Sequence, residues 1–203
     1  IEFVSETETS AGDTVVPPPK AQIPFVLPRA AELEAMRVAQ LLLPVQLQAQ
    51  LLFDDVVTCL RGTAELPRDE HYILLAAWIM HTYLISAFQY TPIVCLFAVP
   101  ERGKTRTGKI LTYLSYRGLH VESLREAYIL RVAENLKAML FIDVTDLWRK
   151  AEKNGSEDVI LQRFEKGVKV ARVNNPERGA FRDIVYYDIF GPTVIGTNEA
   201  LDK

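Results

Sequence analysis

The chain lacks the means for a disulfide framework or a metal cluster. Of 203 residues, two are cysteine and three are histidine. Cys59 sits in an apolar helical pattern and Cys95 in an apolar run, so both are expected in the core rather than in a disulfide or a metal site. That usage fits a reducing, intracellular, cytoplasmic setting. His71, His81 and His120 stand apart, without ligand spacing. No secretory signal is visible. Nor is there an excess of positive charge: acids outnumber bases 26 to 23. That balance excludes a generic nucleic-acid binder, so any such contact must come from a local patch. One stretch, Tyr72 to Phe88, invites a membrane reading. At about 17 residues it is at the lower limit for a span. It also contains His81, Thr82 and Ser86, and Pro92 follows closely. It reads as a buried helix on a sheet, with no membrane partner. The chain opens on Ile1 rather than Met, as a fragment or a processed chain would.

What is present is unevenly spread. Residues 1–22 hold Glu2, Glu6, Glu8 and Asp13 against Lys20, and contain Pro17-Pro18-Pro19. This segment cannot bury enough apolar surface to fold alone and is expected to be a disordered, acidic, proline-rich tail. Residues 23–90 read as an N-terminal helical region. One helix is predicted from Arg29 to Leu43, stopped by Pro44, and a second from Val45 to Arg61, followed by Gly62. A third is predicted from about Arg68 to Gln89.

Residues 91–203 carry the chemistry. Ile93 to Val99 is a nearly continuous apolar run, the pattern of a strand buried on both faces. Ile110, Leu111 and Leu114 then recur at helical spacing, and Gly118 is a stop. Between them, Ala98-Val99-Pro100-Glu101-Arg102-Gly103-Lys104-Thr105 fits the Walker A pattern in its broadened form, which admits Ala at the first glycine. A loop before a helix can aim successive backbone N–H groups at phosphate oxygens. Pro100, Glu101, Arg102, Gly103, Lys104, Thr105 and Arg106 are therefore the expected nucleotide contacts. Gly103 permits close approach, Lys104 reaches the β- and γ-phosphates, and the Thr105 hydroxyl meets Mg²⁺. Gly103 to Lys109 offers a second, overlapping match, but Ile110 stands where that hydroxyl belongs. It would also consume residues the helix needs, so the first register is preferred and Lys109 reads as a solvated or DNA-facing residue.

Further on, Leu119 to Val121 reads as a short strand, and Ser123 to Glu126 as a capping box opening a helix to Leu136. Ala138 to Asp143 is an apolar run ending in an acid. Beside a phosphate loop this is a Walker B arrangement, with Asp143 sharing Mg²⁺ with Thr105. Trp148 to Lys153 begins a polar helix, and Ser156 caps another to about Lys166. Val168 to Val173 alternates as a strand does, and Ile184 to Phe190 returns as its partner after the turn at 174–179. Thr193 to Thr197 is a last apolar strand, ending at Asn198.

The order Walker A (AVPERGKT), Walker B (LFID) and a late strand ending in Thr-Asn (TVIGTN) resembles the AAA+ class of P-loop ATPases from about Thr91 to Lys203. The resemblance implies an α/β fold, a P-loop NTPase three-layer sandwich with a mainly parallel sheet, ending before the helical lid. It places Asn198 at sensor 1, where a polar side chain orients the attacking water. The class carries Asp-Glu at Walker B, the Glu polarising that water. Here Val144 follows Asp143, and the nearest acid is Asp146, which takes the role if the chain turns sharply; Glu101 and Glu152 are alternatives. The stretch from Trp78-Ile79-Met80-His81-Thr82 through PERGKTR is similar to replication-associated ATPase domains of phages and plasmids. A hairpin before the sensor 1 strand is how several AAA+ helicases enter a ring's pore. The resemblance thus implies a homo-oligomeric ring and a DNA contact through Lys169, Arg172, Arg178 and Arg182, although Glu177 and Asp183 dilute that charge.

The expected function is ATP binding and hydrolysis with Mg²⁺ in a DNA-processing motor, with Lys104, Asp146 and Asn198 as catalytic residues. The alternative is a nucleotide-gated scaffold with little hydrolysis, which Val144 favours. A small-molecule kinase fits less well, given the Thr-Asn strand and the large helical region.

Overall fold

The computed structural model describes residues 7–8, 14–15, 29–42, 44–122, 125–143, 157–173, 179 and 183–198. Contacts divide the chain into two compact units, 1–38 and 39–203. In the first, β1 (Thr7–Glu8) pairs antiparallel with β2 (Thr14–Val15). Helix α1 (Ala30–Leu42) begins there and ends before Pro44.

The larger unit is built on a four-stranded, all-parallel sheet. Its strands are β3 (Ile93–Phe97), β4 (Leu119–Val121), β5 (Leu140–Asp143) and β8 (Thr193–Thr197). Their spatial order is β3-β8-β5-β4. Among the described residues, five helices accompany the sheet: α2 (Val45–Thr63), α3 (Asp69–Tyr83), α4 (Lys104–Leu114), α5 (Glu126–Leu136) and α6 (Glu157–Leu161). A separate antiparallel pair, β6 (Lys169–Val173) and β7 (Ile184–Asp188), precedes β8.

Strand alternation splits the core in two. Leu140, Ile142 and Ile195 pack with Ile129, Leu130 and Ala133 of α5 and with Val159 and Ile160 of α6. Phe141 and Val194 pack with Val56 and Leu60 of α2, Trp78 and Ile79 of α3, and Leu111 of α4. Neighbouring residues of one strand thus serve different clusters, as a sheet covered on both faces requires. This agrees with an α/β domain whose sheet is covered by helices on both faces.

Four expectations are corrected. The strand before the loop is not buried on both faces: β3 is at the sheet edge, because β8, last in the chain, inserts between β3 and β5. Phe97 is 61% exposed there. Both cysteines are exposed and free. Cys95 lies on the thinly covered face of this edge strand, and Cys59 falls outside the Val56-Val57-Leu60 stripe that α2 buries. The third helix ends at Tyr83, not Gln89. Leu84 turns, Ile85–Ala87 form a 3₁₀ turn, and the chain reverses so that Thr91 N–H donates to Phe164 O at 2.8 Å and Lys166 N–H donates to Gln89 O at 2.9 Å. These long-range pairings outweigh continued helix propensity. Helix α2 continues through Gly62. Among the described residues, no helix is long and apolar enough to cross a membrane. The predicted helix at 148–153 and Ser123 of the capping box lie outside the described residues.

Gly108 sets how closely α4 lies on the sheet. A Cβ there would meet the Phe141 ring at 2.0 Å. Helix propensity favours Ala over Gly by about 1 kcal/mol, whereas overpacking of this kind costs about 1–3 kcal/mol. Gly108→Ala is therefore expected to lower the urea midpoint, and Phe141→Leu in the same chain should restore part of it. A Gly108→Ala variant more stable than the parent would show that the ring yields freely.

Candidate nucleotide-binding site

The loop at 98–103 leaves the carboxyl end of β3. Because the sheet is parallel, the ends of β3, β8 and β5 lie together: Phe97 pairs with Thr197, and Gly196 with Asp143. Ligand sites of open parallel sheets occupy this side. The loop then turns tightly. Glu101 has φ 62° and Gly103 φ 80°, both left-handed. Glycine tolerates that conformation, whereas a non-glycine residue held there is uncommon and strained.

Gly103 caps α4 and offers no capping side chain. A helix start leaves its first N–H groups without intrahelical acceptors, so those of Lys104, Thr105 and Arg106 are available to an anion. The helix dipole adds partial positive charge at the same point. Lys104 folds back over the loop. Its Nζ donates to Ala98 O at 2.7 Å and to Val99 O at 2.9 Å. Glu101, Arg102 and Arg106 are exposed, as is Pro100.

Thr105 Oγ1 donates to Asp143 Oδ2 at 2.6 Å. These residues are 38 apart in sequence, and the contact joins the start of α4 to the end of β5. Asp143 keeps a side-chain exposure of 23%. Gly196 makes room for it, since a Cβ there would stand 3.1 Å from Asp143 Oδ1. A hydroxyl and a carboxylate are hard oxygen donors, the class that Mg²⁺ prefers. The pair therefore fits Mg²⁺ chemically. Among the described residues there is no cluster of three or more His, Cys, Asp or Glu side chains that could hold a metal on its own.

A cleft of about 630 Å³ opens beside the loop. It lies between the turn Thr63–Pro67 and residues Glu101, Arg102, Gly103, Arg106 and Thr107. Tyr72 fixes the turn: its hydroxyl donates to Ala64 O at 3.1 Å and accepts from Leu66 N–H at 3.0 Å. Nothing in the sequence pattern joins this turn to the loop.

The remaining expected residues are less convergent. Asn198 follows the end of β8 and is exposed. Since Thr197 is level with Phe97, Asn198 stands near the start of the loop. Asp146 and Glu152 lie outside the described residues, as do Arg178 and Arg182. Of the basic patch, Lys169 is exposed on β6, opposite Asp188. Arg172 is ion-paired with Glu126 of α5, and its Nη1 donates to Ala171 O at 2.8 Å.

Two residues that the motifs do not mark also belong here. His120 of β4 stacks on Phe141, with ring centroids 4.8 Å apart, and its Nε2 is 4.0 Å from Asp143 Oδ2. Gly196 was open to detection, because a glycine inside a strand pattern signals close approach. No family model matches the chain, and no curated protein matches it.

Proposed function

We propose that the chain is the ATP-binding and ATP-hydrolysing part of an AAA+-like, DNA-processing motor of the helicase or loader type, of a phage or other mobile element. One observation carries the reading above all: the Thr105 hydroxyl meets Asp143 at 2.6 Å, at the start of a helix preceded by a glycine in left-handed conformation. Walker A and Walker B chemistry needs that convergence.

The roles follow from the groups present. The N–H groups of Lys104, Thr105 and Arg106 bind phosphate oxygens, and Gly103 keeps the approach open. Lys104 releases Ala98 O and Val99 O and turns its ammonium to the phosphates. Thr105 and Asp143 hold Mg²⁺, which when bound neutralises charge on the β- and γ-phosphate oxygens. The cleft beside Thr63–Pro67 adjoins the loop and has the size of a small-ligand site. Asn198 orients the attacking water and Asp146 polarises it. A ring of such chains would bring the β6–β7 hairpin to DNA. With Arg172 held by Glu126, that contact depends on Lys169, Arg178 and Arg182.

A second reading has its own support. Val144 stands where a catalytic acid is expected, which suits a nucleotide-gated scaffold that turns over slowly. Hydrolysis measured with and without single-stranded DNA separates the two. A motor is expected to hydrolyse faster when DNA is added. Tight ATP binding without DNA-stimulated turnover would replace the motor with the scaffold.

A further inference from the structure

His120 is half-buried beside the proposed metal ligands, and the reading above leaves it without a task. It lies on β4, level with Phe141 of β5 and two residues along from the level of Asp143. Ring stacking on Phe141, at an interplanar angle of 16°, fixes its plane. Phe141 is in turn held against Gly108 of α4. The imidazole therefore has little freedom to turn away.

Its Nε2 is buried and, among the described residues, has no hydrogen-bond partner. A buried polar group left unsatisfied is costly, and most such groups in folded proteins are paired. Asp143 Oδ2 is 4.0 Å from Nε2, a short movement away from a hydrogen bond. Nδ1 faces Glu122 Oε1 at 3.6 Å, but that carboxylate is 78% exposed and too distant to form a direct bond. His120 thus has one inward direction in which to act, and it points at the carboxylate that Thr105 already touches.

We propose that His120 is a positioning residue for Asp143: with its proton on Nε2, it donates to the carboxylate and holds it oriented for Mg²⁺. The role presupposes the Mg²⁺–nucleotide site proposed for Thr105 and Asp143. It supplies a reason for an unsatisfied nitrogen at this depth. Ligating carboxylates are themselves held by hydrogen bonds, and losing such a partner typically costs about 10–100-fold in metal affinity. Asp143 has one partner from α4, the Thr105 hydroxyl. That hydroxyl is itself committed to the metal, so a second partner from β4 keeps the carboxylate in place.

The test uses the full chain and the equilibrium affinity for ADP, with and without Mg²⁺, so that turnover plays no part. His120→Phe keeps the stack on Phe141 and removes the nitrogen. It is expected to bind ADP without Mg²⁺ as the parent does, and to lose at least tenfold of the tightening that Mg²⁺ brings. His120→Gln restores a donor near the Nε2 position and should recover most of that tightening. His120→Asn, whose amide stops short at the Nδ1 position, should behave as His120→Phe does, and covers the case in which the aromatic variant fails to fold. Full Mg²⁺ tightening in folded His120→Phe or His120→Asn would overturn the proposal. So would a loss of ADP affinity without Mg²⁺, which would make His120 a support of the loop instead. Failure of the underlying site is separately visible: the parent would then show no Mg²⁺ effect, and Lys104→Ala would bind ADP as the parent does.

Discussion

Lys104→Ala is expected to lower ATP turnover by about 10²–10³-fold with little change in stability. Removing one preorganised group aimed at developing charge typically costs about 2.7–4 kcal/mol of transition-state stabilisation. In the proposed mechanism Lys104 takes that part once its ammonium has turned to the phosphates. Its ammonium lies over the loop, bonded to Ala98 O and Val99 O. The bond to Val99 O is exposed and that to Ala98 O is half-buried, so releasing them carries a small burial penalty. Lys104→Arg should not rescue activity, because a planar fork cannot replace a compact point charge at this place. Steady-state hydrolysis, with thermal melting as the control for folding, decides the matter. Turnover within twofold of the parent in Lys104→Ala would remove Lys104 from the chemistry.

The largest expected effect on stability lies at the other end of the sheet. Arg163, in the 3₁₀ turn after α6, is fully buried. Its Nε donates to Thr193 Oγ1 at 2.9 Å, its Nη1 to Ile189 O at 2.9 Å, and its Nη2 to Ala138 O at 2.9 Å. Nη2 also reaches Pro192 O at 3.3 Å. The guanidinium thereby fastens the chain entering β5 to the chain entering β8. Burial pushes its pKa down to about 9, and the charge of Asp188 opposes that shift. It therefore stays charged at neutral pH. Gly191 is part of the same arrangement, since a Cβ there would stand 2.8 Å from Nη2. Arg163→Met fills the space but strands Ile189 O and Ala138 O in the interior. At about 1–3 kcal/mol for each unsatisfied group, the loss should reach roughly 2–6 kcal/mol. Arg163→Lys should fall between, since an ammonium cannot span three directions in one plane. Urea unfolding with unchanged m-value measures this. A loss below about 1 kcal/mol would mean that the carbonyls find other donors, contrary to the expectation for buried groups.

The two ends of the sheet also show what the sequence could and could not disclose. Strands announce themselves by apolar runs, and 93–97, 119–121, 140–143 and 193–197 all form where those runs lie. The loop was legible because Gly103, Lys104 and Thr105 stand between a strand pattern and a helix pattern. Strand order was not legible. Nothing local to β8 says that it inserts beside β3, and that single fact exposes Phe97 and Cys95. Arg163 was equally hidden. A lone arginine in a polar helical stretch reads as solvated, and only the convergence of three distant carbonyls makes it a core residue. His120 looked isolated for the same reason: its neighbours Phe141 and Asp143 belong to another strand. Arg172 was legible as a charge but not as one partnered by Glu126, 46 residues earlier.

The proposed function rests on the loop and Asp143 together holding a Mg²⁺-bound nucleoside triphosphate. Titration of the chain with ATP and with adenosine, each with and without Mg²⁺, tests it most directly. Saturable ATP binding that Mg²⁺ tightens is expected, with far weaker adenosine binding that Mg²⁺ leaves unchanged. Equal affinity for ATP and adenosine, or ATP binding indifferent to Mg²⁺, would contradict it.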